Sequence, residues 1–263
     1  MSDFARKIKR FEYAPYVYSY PPTRTYVPVE NFTLKGVIFS PNVNIYIHIP
    51  FCKQKCTFCG YLTLIEKSSD FQEHYVRCVI REIEMHAEVL GRSVITSVNF
   101  GGGTPSLLTP AQFEAIILAL HKTNQHLFET AKEISIEATP ESIFSRNIEA
   151  FMAYGLNRVS IGIQTLDSGE IRTSKRHNPT DVSLGAVEML KESGVSNICC
   201  DLMYGLSGQS LESWEHSVRV LSQLRPETIE LYSTVVIPGT PLAQRGGSFM
   251  GREDRMRSYE FAQ

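Results

Sequence analysis

Two hydrophobic rhythms alternate along the chain from residue 45 onward. Short runs at residues 45–51, 97–100, 133–138, 158–164, 197–204 and 228–236 are rich in Ile, Val and aromatic residues. They read as strands buried on both faces. Between them, apolar residues return at helical spacing, and Tyr75, Val76, Val79, Ile83, Ala87 and Leu90 mark one helix face. Ser69 with Gln72, and Thr109 with Gln112, have the spacing of capping boxes, with Pro110 at a first helical position. Gly155 and Gly194 each follow a helical stretch and precede a strand, where a left-handed residue is expected. One strand plus one helix recurs about every 30–40 residues, the size of a βα crossover unit. Repeated units of this kind predict an α/β fold with a parallel sheet and helices outside it. Six such units fit a partial (β/α)6 TIM-like barrel.

Residues 1–44 read as an extended N-terminal arm, and residues 45–263 as the core domain. The stretch Tyr13-Ala14-Pro15-Tyr16-Val17-Tyr18-Ser19-Tyr20-Pro21-Pro22 is rich in Tyr and Pro. Proline fixes its own backbone and disfavours helix in the residue before it. Such an arm serves as a strap whose tyrosines pack on the domain, or as a lid over a pocket. The last residues, from Arg255 to Gln263, look like the opening turns of a sixth helix that ends without a cap.

Composition narrows the function classes. Hydrophobic residues make up 43% of the chain and the net charge is −2. With acids and bases interspersed, no basic stripe points to nucleic acid. The first ten residues lack the apolar core of a secretory signal. No apolar run is long enough to span a bilayer. Six cysteines in 263 residues is not the density of a small stapled secreted scaffold. Free thiols suit a reducing cytoplasm.

Three of those cysteines carry the chemistry. Cys52, Cys56 and Cys59 sit within eight residues, directly after the run Ile45-Tyr46-Ile47-His48-Ile49-Pro50-Phe51. Closely spaced thiolates are soft ligands that select iron–sulfur clusters, zinc or copper(I). A structural zinc takes four ligands, usually as two separated pairs. Here the nearest additional candidate is His48, and no second Cys-x-x-Cys follows. A cubane cluster has four irons, so three thiolates leave one iron open for substrate chemistry. Cys78, Cys199 and Cys200 read differently: Cys78 as part of a buried helix face and the other two as small hydrophobes within a strand. His74, His86, His121 and His126 fall in polar stretches and are expected to face solvent.

In parallel α/β folds, ligands sit at the carboxyl ends of the strands, and polar residues collect there in this chain. Gly101-Gly102-Gly103-Thr104-Pro105 follows the second strand. It is either a tight turn or a place where backbone approaches a ligand closely. Glu137 ends the third strand, and Asp201 lies in the fifth. Acids in apolar strands need a partner, either a structural arginine or a bound ligand. Gln164 ends the fourth strand, and Arg176, suited to bidentate capture of a carboxylate, lies in the loop after it.

The cysteine spacing is that of the radical S-adenosylmethionine superfamily, which this chain resembles. The resemblance sharpens over roughly residues 13–245. The segments Tyr46-Ile47-His48-Ile49-Pro50-Phe51-Cys52, Gly101 to Pro105, Ile136-Glu137, Ser160-Ile161-Gly162-Ile163-Gln164 and Asp201-Leu202-Met203-Tyr204-Gly205-Leu206 are similar to one branch. That branch contains oxygen-independent coproporphyrinogen III oxidase, haem chaperones and class C radical methyltransferases. The resemblance implies a partial barrel and a 4Fe–4S cluster on Cys52, Cys56 and Cys59. It implies that Tyr46, Phe58, Gly102, Gly103, Thr104, Glu137, Gln164, Arg176, Asp201 and Val235 contact S-adenosylmethionine, as one molecule or two. It further implies a small-molecule substrate, porphyrinogen or another organic compound, and an electron donor such as flavodoxin or ferredoxin. Oxidases of the branch carry Gly and then a fourth Cys after the third cysteine, and chaperone-like members carry Asp-Phe. This chain has Gly60 and Tyr61. The run Gly103-Thr104-Pro105-Ser106-Leu107-Leu108 is closer to the chaperone-like members. Three functions therefore follow from the branch: an oxidase-like oxidoreductase, a class C methyltransferase, or a haem chaperone-like binding protein. The chain is expected to be a fragment, or a short member lacking the branch's C-terminal domain.

Overall fold

A computed structural model describes residues 41–65 and 67–262. The Tyr- and Pro-rich segment expected as an arm lies outside the described residues, except at its end. There the arm boundary moves, because residues 42–44 already belong to the first strand, β1 (Asn42–Ile49).

The remaining strands are β2 (Phe51–Cys52), β3 (Leu64–Ile65), β4 (Val94–Gly102), β5 (Glu133–Ala138), β6 (Arg158–Gln164), β7 (Asn197–Tyr204) and β8 (Thr228–Ser233). Six of them form one parallel sheet in the order β1-β4-β5-β6-β7-β8. This is the expected partial barrel. The helices are α1 (Ser69–Met85), α2 (Ala87–Arg92), α3 (Pro110–Thr123), α4 (Leu127–Thr130), α5 (Ser145–Met152), α6 (Ser168–Thr173), α7 (Thr180–Glu192), α8 (Leu211–Gln223), α9 (Pro241–Arg245) and α10 (Arg252–Phe261). None is long and apolar enough to cross a membrane, among the described residues. The short strands β2 and β3 pair parallel, Phe51 with Leu64 and Cys52 with Ile65. They close the base of the cysteine loop.

Local signals account for the element ends. Thr109 and Gln112 make the expected reciprocal capping box on α3, with Pro110 at its first turn. At α1 the cap is one residue earlier than expected: Ser68, not Ser69, accepts from the Phe71 N–H at 3.3 Å. Gly155 and Gly194 adopt φ of 90° and 81°, as their positions before strands require.

The strands are not buried equally on both faces. Ile47, Ile49, Val98, Phe100, Ile134, Ile136, Val159, Ile161, Ile198 and Leu202 point outward into a core shared with the helices. Phe113 joins that core, its ring centroid 4.8 Å from Phe100 and 4.5 Å from Phe151. Such aromatic pairs contribute about 0.5–1.5 kcal/mol beyond the area they bury. The alternate positions carry Tyr46, His48, Glu137, Ser160, Cys199, Asp201 and Glu230, which share the opposite, concave face. Period-two alternation is therefore present, but Ser, Gly and Cys on the concave side hide it from a count of apolar residues.

Several side chains differ from expectation for the same reason of facing. Cys78 is exposed, with its sulfur 3.7 Å from His74 Nε2. It lies off the stripe of Val76, Val79 and Ile83, since neighbours at i+2 do not share a helix face. His74 and His126 are exposed, but His86 and His121 are half-buried. His121 stacks on Phe128 at 4.9 Å. Cys200 joins the core, whereas Cys199 turns to the concave face, its sulfur 3.9 Å from Asp201 Oδ1.

Candidate functional site

The cysteine loop leaves the sheet at the carboxyl end of β1 and returns beside it. Gly103 N–H donates to Ile49 O at 2.9 Å and Thr104 N–H to Phe51 O at 2.8 Å, so the glycine turn after β4 is sewn to the loop's start. Glycine is required here, because a Cβ on Gly103 would lie 2.7 Å from Phe51 O and 2.8 Å from Pro50 O. The loop's far side is held by Thr57, which is 4% exposed. Its N–H donates to Ser174 O at 3.1 Å, and its carbonyl accepts from Leu242 N–H at 2.9 Å. Thr57 has no sequence signature of its own, so only the fold reveals that it anchors the loop to the ends of α6 and α9.

The three thiols lie in one polar setting. Burial pushes Cys52 up, each neighbouring cysteine raises it further, and the Thr104 hydroxyl, 3.4 Å from its sulfur, pulls it back. Burial pushes Cys56 up as well, opposed by the Arg176 guanidinium, whose Nη1 is 3.7 Å from the sulfur. Both opposing groups favour the thiolate that a metal needs. Among the described residues, the set of three potential ligand atoms that all lie within 4.8 Å of one another is Cys199, Asp201 and Glu230, not the loop cysteines. Cys56 and Cys59 both act on Cys52, and Cys59 acts on Cys56, so the three thiols are gathered around one point on the loop, as ligands to a shared metal centre must be.

The concave face continues from this loop. Glu137 Oε2 accepts the Gly102 N–H at 3.0 Å. Burial raises the Glu137 carboxyl, and the Gly102 N–H and His48 pull it back. Tyr46 Oη stands 3.1 Å from His48 Nδ1. A Cβ on Gly101 would meet both Tyr46 and Glu137 within 3.0 Å, and one on Gly102 would meet His48 at 2.7 Å. Across the sheet, Arg176 donates from Nε to Asn178 Oδ1 at 3.0 Å and from Nη2 to Gly162 O. Gln164 sits at an irregularity between β6 and β7, with φ of 70°. Non-glycine residues held there are strained, and such strain gathers at functional sites. Ser160 donates to Asp201 Oδ1 at 3.1 Å. Burial nonetheless carries Asp201 up to about 7, with Glu230 and Glu137 adding repulsion.

The site residues expected from the sequence thus fall into linked groups. Tyr46, Gly102, Gly103, Thr104 and Glu137 join the cysteine loop. Gln164 and Arg176 meet at Gly162. Asp201 is coupled to Glu137 electrostatically. Phe58, half-buried on the loop, and Val235, half-buried just after β8, are tied to the others by no hydrogen bond or ring contact among the described residues. Gln164 Oε1 and His48 Nε2 are buried without a partner. Orphaned buried polar atoms are rare in folded proteins, and a water, an ion or a ligand can complete their bonding.

The radical SAM superfamily profile matches residues 46–221. The chain belongs to the radical SAM superfamily. The match begins at Tyr46 and takes in the cysteine loop, Glu137, Gln164, Arg176 and Asp201. The oxygen-independent coproporphyrinogen III oxidase of Bradyrhizobium diazoefficiens is 31% identical over 205 residues, covering 78% of this chain and 45% of the oxidase. The heme chaperone HemW of Buchnera aphidicola subsp. Acyrthosiphon pisum is 33% identical over 201 residues, covering 76% of this chain and 52% of the chaperone. The solved structure of coproporphyrinogen III oxidase from Escherichia coli superposes with a TM-score of 0.78 at 25% identity, covering 86% of this chain and 53% of that one. The chain therefore spans about half the length of the curated relatives it matches. Membership of the superfamily implies a 4Fe–4S cluster and S-adenosylmethionine.

Proposed function

We propose that this chain is the core of a radical S-adenosylmethionine oxidoreductase of the coproporphyrinogen oxidase type. When bound, the 4Fe–4S cluster and S-adenosylmethionine supply an electron to the sulfonium and a 5′-deoxyadenosyl radical that takes hydrogen from an organic substrate. Cys52, Cys56 and Cys59 hold the cluster. Gly102, Gly103, Thr104 and Glu137 offer backbone and carboxylate partners to the amino end of the cofactor. Arg176 is the cation suited to its carboxylate. Tyr46, Phe58, Gln164, Asp201 and Val235 complete the pocket, with Asp201 suited to ribose hydroxyls. The acids of the concave face favour a cationic guest, and a sulfonium is one.

Three mutually interacting thiols on one loop, sewn by Gly103 and Thr104 to the turn that holds the Glu137–Gly102 pair, support this reading. Anaerobic reconstitution with iron and sulfide, followed by dithionite and S-adenosylmethionine, tests it. The expected result is a [4Fe–4S] absorption band and formation of 5′-deoxyadenosine. A reconstituted protein that binds no iron, or that yields no 5′-deoxyadenosine, removes the proposal. Methyl-labelled S-adenosylmethionine separates the related chemistries, since label in product identifies a class C methyltransferase. Stoichiometric haem binding without turnover identifies a chaperone. Gly60-Tyr61, in place of the oxidases' Gly-Cys, is the feature that makes both arms necessary.

A further inference from the structure

One buried acid takes no part in the site described above. Glu170, on α6, is 4% exposed. Its side-chain partners among the described residues are all neutral. Thr165 and Gln209 donate to Oε2, the latter from Nε2 at 2.9 Å, and Ser213 donates to Oε1. A carboxyl group so placed is costly unless its hydrogen bonds are made. The three donors lie on three segments. Thr165 directly follows Gln164 at the exit of β6. Gln209 lies in the loop after β7, where its Oε1 accepts the Gly205 N–H at 2.6 Å and the Leu206 N–H at 3.2 Å, and its Nε2 also reaches Met203 O at 3.1 Å. Ser213 lies in the first turn of α8. One carboxyl group therefore ties the exit of β6 to the exit of β7, the strand that carries Asp201.

What the tie holds is strained. Gln164 has φ of 70°, a backbone that persists in a non-glycine residue only where its surroundings over-determine it. The residues after it are pinned in turn. The Thr165 hydroxyl donates to Glu170 and accepts the Asp167 N–H at 3.1 Å. The Leu166 N–H donates to Ser217 Oγ at 3.1 Å, and Leu166 O accepts from the Thr180 hydroxyl at 2.6 Å. Before Gln164, Gly162 O is held by Arg176. A Cβ on Gly162 would lie 2.8 Å from Gln164 Nε2, so the amide rests against the strand, and its Oε1 is the buried acceptor without a partner.

We infer that Glu170 is a positioning residue for S-adenosylmethionine. By locking the exits of β6 and β7 together, it keeps Gln164 in the strained backbone that presents Oε1 to the cofactor, and fixes the end of the strand that bears Asp201. The inference rests on the cofactor reading above. Loosened loops lower the fraction of molecules competent to bind, and the apparent affinity falls by that fraction. The hydrogen bonds do this work rather than the charge. A glutamine in the same place keeps an oxygen for Thr165 and Gln209, and the Ser213 hydroxyl can turn to accept from its amide nitrogen.

The test combines equilibrium binding of S-adenosylmethionine to the reconstituted protein, without reductant, with backbone hydrogen exchange of the unreconstituted protein. Glu170→Ala should keep its iron and bind S-adenosylmethionine about tenfold more weakly. Glu170→Gln should recover the affinity to within about threefold of the unaltered chain. Hydrogen exchange reads the tie with no cofactor present. In Glu170→Ala the amides of Leu166, Gly205 and Leu206 should exchange faster together, although they lie on different loops. Should Glu170→Ala fail to fold or to hold iron, Thr165→Val and Thr165→Ser, which remove and keep one donor, replace the pair with the same expectation. A Glu170→Ala protein that is less stable but binds S-adenosylmethionine as tightly as the unaltered chain makes Glu170 a packing group and overturns the inference. Faster exchange in one loop alone, or a glutamine variant as weak as the alanine one, overturns it too. An unaltered chain that takes up no iron or binds no S-adenosylmethionine instead overturns the cofactor reading beneath it.

Discussion

This barrel holds two trios of ligand-type side chains, and they are opposites. Cys52, Cys56 and Cys59 share one loop, where the Cys52 thiol is raised by burial and pulled back by Thr104, and the Cys56 thiol is raised by burial and pulled back by Arg176. Cys199, Asp201 and Glu230 lie within 4.8 Å on neighbouring strands β7 and β8, the tighter of the two sets. Proximity alone favours the second as a metal site, and partnering argues the reverse. Glu230 is already paired with Arg158 at 3.2 Å and bonded by Tyr232, and Asp201 accepts from Ser160. The Cys199 thiol is pushed up to about 12 by burial and by Asp201, so it stays protonated. A thiol is a ligand only as its thiolate. The loop trio is flanked by cationic and hydroxyl donors that stabilise thiolate, whereas the strand trio is surrounded by carboxylates that oppose it. What surrounds a cysteine, more than how close its neighbours are, separates a metal ligand from a polar packing group.

The widest separation between the trios is in iron content. Cys56→Ala should lower iron from about four per reconstituted chain to nearly none and abolish 5′-deoxyadenosine formation. Cys199→Ala should keep both within experimental error and cost about 1 kcal/mol of stability as a small buried deletion. Iron and sulfide analysis beside a denaturant titration reads both effects. A Cys199→Ala protein lacking iron would reverse the assignment of the trios.

Glu137 stands between the two sets, coupled to Asp201 and bonded to the glycine turn. Glu137→Gln keeps the shape and removes the charged acceptor at Gly102. Hydrogen bonds to charged groups contribute roughly 1.5–3 kcal/mol, so binding of S-adenosylmethionine should weaken about 10- to 100-fold. Iron content should stay full, since Glu137 touches no cysteine sulfur. Equilibrium binding to the reconstituted protein measures the loss, and unchanged affinity would remove Glu137 from the cofactor site.

Much of this was legible in the chain, and the gaps have physical causes. The strands at residues 133–138, 158–164 and 197–204 agree with β5, β6 and β7, because turn signals at Gly155 and Gly194 bound two of them. The cysteine loop was legible from spacing alone, and the Thr109 cap from its partner three residues on. The facing of Cys199 was not. Cys199 and Cys200 are adjacent, both are nominal hydrophobes, and only the register with Asp201 shows that one of them points to the acids. Thr57 was equally hidden, since its work is done by backbone bonds to segments far along the chain.

The strand trio should control the protein's response to pH. Asp201 titrates near 7 in the folded state against 3.8 for an ordinary aspartate. A carboxyl raised on folding stabilises the fold while protonated. That stability is fully present below the ordinary value and is lost as pH rises through about 7. The loss amounts to a few kcal/mol at most. Denaturant midpoints of the unreconstituted protein should therefore fall between about pH 4 and 7 beyond the general trend, and Asp201→Asn should remove that fall. A variant with the same slope would assign the titration to another group.

The smallest effect is also the most discriminating, because it separates the members of the strand trio. Glu230 is partly exposed, and its pairing with Arg158 across the sheet is worth about 1 kcal/mol or less. Glu230→Gln should therefore barely change stability near pH 5, where Asp201 is protonated. Above that pH the substitution acts through its neighbour. Glu230 repels the Asp201 carboxylate and so raises its titration point. Without that charge the point moves down toward the ordinary value, so the pH-dependent loss becomes smaller and is complete at lower pH. The sign is fixed: removing an acid should make the protein less sensitive to alkali. Midpoints measured across the pH series for Glu230→Gln beside the unaltered chain read the shift directly. An unmoved transition would mean that the strand trio is three independent side chains and not one coupled set.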